Sequence, residues 1–298
     1  MKIFISALRR SGSTIFWRCF REASVAKSFD EPFNPKIFQL PKENVKDTMG
    51  EFTELLSEQK KHFWELFSPI YPQDELREDL TTKQSNYLKF LLSQDENVVV
   101  DSTRCWHKIS SLEKVLDSDT YLIHLHRAPA SWVTSHMLPS EEKSVRHSLL
   151  NFRRKKTFWT RRSDFNRWNL EDILGYERLS PFHLTFLKND QLAKNFYESA
   201  AVSRLLKFWT LSFEEVESVG KSVFREKFIS VRFEDFCSEP RKTLQHIGDK
   251  TGLAINFEKI PTIKSPSPAF MSASEEWKTA ARYCGLPDNP ESIHRERQ

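Results

Sequence analysis

The sequence predicts an α/β protein: a doubly wound, mainly parallel central sheet with a helical insertion. Three observations predict it. Short apolar runs dense in Val, Ile and Phe recur along the chain, as strands covered on both faces require. Helical patterns separate these runs, which implies right-handed crossovers between parallel strands. The first run, Lys2 to Ser6, passes through a small, polar, basic turn directly into a helical pattern.

In chain order, strands are expected at Lys2–Ser6, Ser24–Phe29, Asn97–Asp101, Thr120–His126 and Lys227–Phe233. All but the second are short apolar runs. The helical stretches are Ile15–Ala23, about Val45–Phe67, Gln84–Leu92, Ile109–Leu116 and Ala130–Met137. Residues 138–226 hold no clear strand. They carry a basic tract (Arg146 to Arg167), then helical patterns from Ala193 to Val219, and are read as a helical insertion within one domain spanning 1–298. Residues 261–298 form a C-terminal loop and helix: Pro and Ser keep Pro261–Pro268 irregular, and a last helix lies around Ser274–Tyr283. Ligand sites in doubly wound sheets lie at the carboxyl ends of the strands. Here those ends lead into Arg9–Thr14, Asp30–Asn34, Asp101–Arg104 and Arg127, all on one edge.

Composition bounds the function. The 298 residues are 39% hydrophobic, with 24 Phe and 8 Trp, enough for an aromatic-rich core. Lys plus Arg number 45 against 41 Asp plus Glu, a net charge of +4. That balance does not call for a nucleic-acid partner, yet it allows a local positive cleft. The four cysteines (Cys19, Cys105, Cys237, Cys284) are far apart and show no metal-binding or disulfide spacing. The first strand starts at Lys2, which leaves no room for a signal peptide, and no run approaches the length of a membrane span. A cytoplasmic protein is expected.

The turn at residues 9–14 carries the chemistry. A strand running through small residues into a helix start aims several backbone N–H groups at one point, where a phosphate or sulfate group would sit. Against the Walker A pattern G-x-x-x-x-G-K-[ST], residues 7–14 read Ala-Leu-Arg-Arg-Ser-Gly-Ser-Thr. Ala7 replaces the first glycine, and Ser13 replaces the lysine that would reach the β- and γ-phosphates. The cation instead precedes the glycine, at Arg10. That arrangement suits an anionic donor other than ATP. A plain helix cap by Ser11 or Ser13, with solvated arginines, is the alternative.

Arg10-Ser11-Gly12-Ser13-Thr14 resembles the 5′-phosphosulfate loop of the sulfotransferases, [KR]-[ST]-G-[ST]-[ST] after their first strand. Three more segments resemble that family in the same order. Glu31-Pro32 is similar to its "EP" motif. Arg127-Ala128-Pro129 with Ser135 is similar to its 3′-phosphate motif, and residues 231–236 with Pro240 to its late R-[YF]-E-D strand and turn. The resemblance spans residues 2–240 and implies a P-loop NTPase-like fold.

The resemblance also implies a reaction. The donor is 3′-phosphoadenosine 5′-phosphosulfate (PAPS), which needs an anion site at each end and no metal. Arg10 would donate to the phosphosulfate, assisted by Arg9 and by the amides and hydroxyls of Ser11, Gly12, Ser13 and Thr14. Arg127 and Ser135 would hold the 3′-phosphate, with Lys264 of the late loop adding a contact. Glu31 would act as general base on an acceptor hydroxyl or amine of a glycan or small metabolite. Asp30 and His107 are the competing bases. Golgi members carry an N-terminal membrane anchor that this chain does not, which favours a cytoplasmic, bacterial enzyme.

Two other classes stay open: a P-loop nucleotide kinase or ATPase, and a non-catalytic protein binding a glycan or 3′-phosphoadenosine 5′-phosphate (PAP). Val98-Val99-Val100-Asp101 favours the first, because it resembles a Walker B strand whose Asp handles Mg²⁺. Related bacterial segments read V-D-K-[ST]-P; here Ser102 stands for the lysine and Arg104 for the proline, so Arg104 is the candidate to supply the missing charge.

Overall fold

The computed structural model describes residues 1–40, 49–71, 74–137, 201–264 and 275–287. The chain divides into two units, Met1–His126 with Ser212–Ser265, and Arg127–Leu211 with Pro266–Gln298. The basic tract at 146–167 and Ser265 lie outside the described residues.

The first unit is built on five parallel strands in the order β2-β3-β1-β4-β5. These are β1 (Lys2–Ala7), β2 (Lys27–Asp30), β3 (Val98–Ser102), β4 (Tyr121–His126) and β5 (Phe228–Arg232). β1, β3, β4 and β5 fall within one residue of the apolar runs that predict them. β1 lies at the centre, with Ile5 opposite Asp101 on one side and Ile123 on the other. From β1 the chain runs to β2 at one edge, returns to β3 between them, then crosses over β1 to β4 and β5. The order therefore reverses beside β1, the position at which open α/β sheets bind ligands.

Helix α1 (Ser13–Ala23) covers one face of the sheet. Its Phe16, Trp17 and Phe20 bury against Ile3, Ile5, Ala7 and Val99. Helices α2 (Gly50–Leu66) and α3 (Thr82–Leu92) follow; α3 starts from a capping box between Thr81 and Gln84. The short α4 (Ile109–Glu113) connects β3 to β4. After β5, α7 (Phe233–Ser238) and α8 (Pro240–Thr251) return to the α1 side, where Phe236, Leu244 and Ile247 complete the core.

In the second unit, α5 (Pro129–Met137) and the start of α6 (Ala201–Phe224) hold Trp132 and Trp209, both buried. A last helix, α9 (Glu275–Tyr283), buries Trp277. Among the described residues, no helix is long and apolar enough to cross a membrane.

Two boundaries differ from expectation by three residues. β2 starts at Lys27 and not Ser24, because Ser24 ends α1: its N–H and its hydroxyl both donate to the Phe20 carbonyl. α4 ends at Glu113 and not Leu116, since Val115 and Leu116 both turn back to the Leu112 carbonyl.

Candidate active site

β1 carries the chain to the carboxyl edge of the sheet, and residues 8–12 turn it into α1. Arg10 sits at the turn, exposed, with φ 73°. A left-handed backbone costs an L-residue roughly 1–2 kcal/mol, so the surrounding loop must hold it there. The Ser11 N–H donates to the Leu8 carbonyl at 3.1 Å. Gly12 is the N-cap of α1, at φ 87°, and no side chain caps this helix. The sequence alternative of a Ser11 or Ser13 cap is therefore corrected. The first turn also lacks an acidic residue. The leading amides of a helix have no acceptors within it, and its dipole adds positive potential at this end. An anion supplies both needs. Of the loop hydroxyls, Thr14 is exposed, while Ser11 and Ser13 are buried.

Next to this loop, the ends of β2 and β3 bring four carboxylates and arginines together. Asp30 and Asp101 are register partners on adjacent strands. Asp101 is fully buried. Burial pushes its carboxyl well up, and the charges of Asp30 and Glu31 push it further; the Ser13 hydroxyl acts in the opposite direction. One residue on, the Glu31 N–H donates to the Asp101 carbonyl at 2.9 Å, and Glu31 itself turns to φ 50°. Its carboxylate is fixed twice. Oε1 accepts the Thr103 N–H at 2.7 Å, and Oε2 lies 3.4 Å from Arg104 Nε. Arg104 also donates from Nη1 to Glu75 Oε1 at 2.7 Å. Arg9, from the turn between β1 and α1, donates to that same Glu75 oxygen.

Of the competing bases, Asp30 is buried beside Asp101. His107 Nδ1 lies 3.2 Å from Glu215 Oε1 on α6. Lys264 is exposed.

In the second unit, Arg127 is buried, and its Nε donates to Ser131 Oγ at 2.7 Å. Trp209 Nε1 donates to the Arg127 carbonyl at 3.0 Å. Ser135 is also buried and donates to the Trp132 carbonyl at 2.7 Å, leaving its oxygen lone pairs as acceptors. Ser131 and Ser135 stand four residues apart on one side of α5, and Arg127 lies two residues before the helix starts.

No family model and no curated protein matches the chain. It is similar to solved sulfotransferase structures. One is the sulfotransferase domain of the Synechococcus PCC 7002 olefin synthase, 15% identical over 100% of this chain and 87% of that one, with a TM-score of 0.45. A second is the sulfotransferase domain from the curacin biosynthetic pathway, 15% identical over 96% and 98%, TM-score 0.43. A third is a sulfotransferase from Alicyclobacillus acidocaldarius, 13% identical over 95% and 93%, TM-score 0.41.

Three residues around these segments escape a sequence reading. Glu75 sits in the charged stretch Asp74–Asp79, which looks like solvated surface, yet its side chain is 1% exposed. Ser131 stands four residues after Arg127, and helical spacing alone offers the means to find it. Glu217 on α6 accepts from Ser230 at 2.6 Å and pairs with buried His124 at 2.7 Å. Burial raises its carboxyl, but the His124 hydrogen bond and charge outweigh that and hold it down to about 2.

Proposed function

We propose that this protein is a sulfotransferase that takes PAPS as donor and moves its sulfuryl group to a hydroxyl or amine of a small molecule or glycan. The observation that carries this reading is the start of α1: a helix with no side-chain cap and no acid in its first turn, reached through an arginine-rich turn beside the central strand. A Walker-type lysine is missing there, so the loop favours an anion other than the triphosphate of ATP.

In this reading Arg10, the amides of Gly12, Ser13 and Thr14, and the Thr14 hydroxyl hold the 5′-phosphosulfate. Arg127 and Ser135 hold the 3′-phosphate, and Ser131 orients the Arg127 guanidinium. Lys264 adds a contact to the donor. Glu31 takes the acceptor proton. The acceptor oxygen or nitrogen bonds to sulfur while the bond from sulfur to the 5′-phosphate oxygen breaks, its electron pair leaving on PAP. Fixed positive charge and backbone N–H groups aimed at the leaving oxygen stabilise that charge without reorganising as it develops. In this role the Thr103 N–H anchors one carboxylate oxygen of Glu31, and Arg104 Nε, at 3.4 Å, orients the other.

The test is a calorimetric titration with PAP, AMP and ATP, with and without Mg²⁺. PAP should bind most tightly and need no Mg²⁺. Arg127→Ala should erase the preference for PAP over AMP and leave AMP binding near its original level. Tightest binding of Mg²⁺–ATP would replace this reading with a kinase or ATPase.

A further inference from the structure

Glu75 takes no part in the roles assigned above, yet it is more deeply buried than the charged groups it joins. Its side chain is 1% exposed, against 32% for Arg9, 11% for Arg104 and 16% for Glu31. A carboxylate in that position is costly unless cations and hydrogen-bond donors surround it. Both are provided: Oε1 accepts from Arg9 Nη2 and from Arg104 Nη1. Arg104 then reaches Glu31 through Nε at 3.4 Å. The four groups alternate in sign, Arg9, Glu75, Arg104, Glu31, and their formal charges cancel. They come from four different segments: the turns after β1, β2 and β3, and the connection between α2 and α3.

That connection is itself tied down around Glu75. The Ile70 N–H donates to the Phe33 carbonyl at 2.9 Å, two residues past Glu31. Lys108 Nζ donates to the Asp74 carbonyl at 2.8 Å and to the Arg77 carbonyl. Such anchoring holds the Glu75 carboxylate in one place, so it sets where the two guanidinium groups sit, and not the reverse. Planar guanidinium donors make directional bonds to carboxylates, which turns a charge contact into a geometric one.

We propose that Glu75 is a positioning residue for sulfuryl transfer, its buried carboxylate fixing Arg9 of the phosphate loop and Arg104 beside Glu31 as one charge network. This role rests on the donor reading above. Glu75 acts on the reacting centre only through the arginines, so its loss should reduce the rate of transfer more than the binding of the nucleotide. In that reading the 3′-phosphate is held by Arg127 and Ser135, and not by Glu75's partners.

The experiment measures PAP affinity by calorimetry and steady-state PAPS hydrolysis, with water as the acceptor, in the wild type, Glu75→Gln, Glu75→Asp, Arg104→Met and the Glu75→Gln/Arg104→Met double variant. In Glu75→Gln, kcat should fall about 10²-fold, the usual effect of displacing a reacting group by about an ångström, while PAP affinity stays within about threefold. Glu75→Asp, which keeps the charge one methylene short, should recover part of the lost kcat. The double variant should lose little more than Arg104→Met alone, because both changes break one network. A wild-type kcat in Glu75→Gln overturns the role. So does a Glu75→Asp variant no better than Glu75→Gln, or a loss of PAP binding as large as the loss of kcat. A wild-type protein that binds PAP no better than AMP removes the donor reading, and this role falls with it. Wild-type protein that binds PAP but transfers nothing, even to water, overturns the role while leaving the binding site in place.

Discussion

The ring of Phe233 fills the space that a side chain on Gly12 would need: a Cβ built there lies 2.1 Å from its Cε2 atom. Gly12 also stands at φ 87°. Two independent demands therefore meet at one residue, and both concern the backbone that opens α1. Gly12→Ala should destabilise the fold by about 2–4 kcal/mol, from the left-handed backbone and the crowding together. Trimming the ring in a Gly12→Ala/Phe233→Leu double variant should restore only the crowding share. Denaturant unfolding of both variants checks this. A Gly12→Ala protein as stable as the wild type would mean that the loop takes another path.

Much of this architecture is legible from residue patterns, and the reasons are physical. β1, β3, β4 and β5 are buried on both faces, so each appears in the sequence as an uninterrupted apolar run. β2 is the exception: Lys27-Ser28-Phe29-Asp30 lacks such a run, and the three residues before it, which lead out of α1, carry no pattern that separates them from the strand. At the candidate site, the turn into α1 and the position of Glu31 at a strand end are legible because local sequence shapes them: glycine at a positive φ, and proline just after a strand. Glu75 is not legible. Its burial depends on Arg9, which lies 66 residues away, and Arg104, 29 residues away. No local pattern records a pairing of that range. Arg104 was noted as a charge in place of a lysine, but its two carboxylate partners come only from the packed chain.

Asp101 offers a pH test. Its folded-state pKa is raised well above the ordinary 3.8 by burial first, then by Asp30 and Glu31. A raised carboxyl stabilises the fold below the unfolded-state value and loses that contribution as pH rises through the folded value. Asp101→Asn mimics the protonated form at every pH. The variant should thus gain stability relative to the wild type as pH rises from about 4, levelling off above the folded pKa. Unfolding free energies across pH 4–9 measure the gap, and a gap that closes with rising pH contradicts the assignment. Turnover should survive this substitution. Loss of a Mg²⁺-dependent ATP reaction would instead point to a Walker B role.

Glu217 predicts the opposite pH behaviour. Its carboxyl lies at about 2 against an ordinary 4.5, with the His124 hydrogen bond and charge overcoming the upward pull of burial. A depressed carboxyl stabilises the fold above its unfolded pKa and loses that contribution as pH falls through the folded one. The window therefore runs from about 4.5 down to about 2. A shift of this size corresponds to a contribution on the order of 3 kcal/mol. Glu217→Gln should be less stable than the wild type at pH 6, and the two should converge as pH falls through that window. Parallel unfolding curves from pH 6 to pH 2 would show that the His124–Glu217 pair contributes nothing through charge.

Glu31 separates an enzyme from a binding protein. Its Oε1 takes the Thr103 N–H at 2.7 Å, a bond that a glutamine carbonyl at the same place can also accept. Glu31→Gln therefore keeps the local backbone and removes only the charge and the basicity. If Glu31 takes the acceptor proton, PAP affinity should stay close to that of the wild type, because the carboxylate faces the acceptor. Turnover should fall by roughly 10²–10⁴, the usual contribution of a general base. The wild-type rate should rise with pH through one ionisation that the variant lacks. Arg104 supplies the control: Arg104→Met leaves Glu31 its Thr103 anchor and should keep that ionisation in the profile, at a lower rate. An active Glu31→Gln enzyme with an unchanged pH profile would move the base elsewhere. His107 is then the candidate to pursue, since its Nδ1 is oriented by Glu215 at 3.2 Å, whereas Asp30 is turned toward the buried Asp101. No transfer by the wild type to any acceptor, with PAP binding intact, would make the chain a binding protein that keeps the donor site.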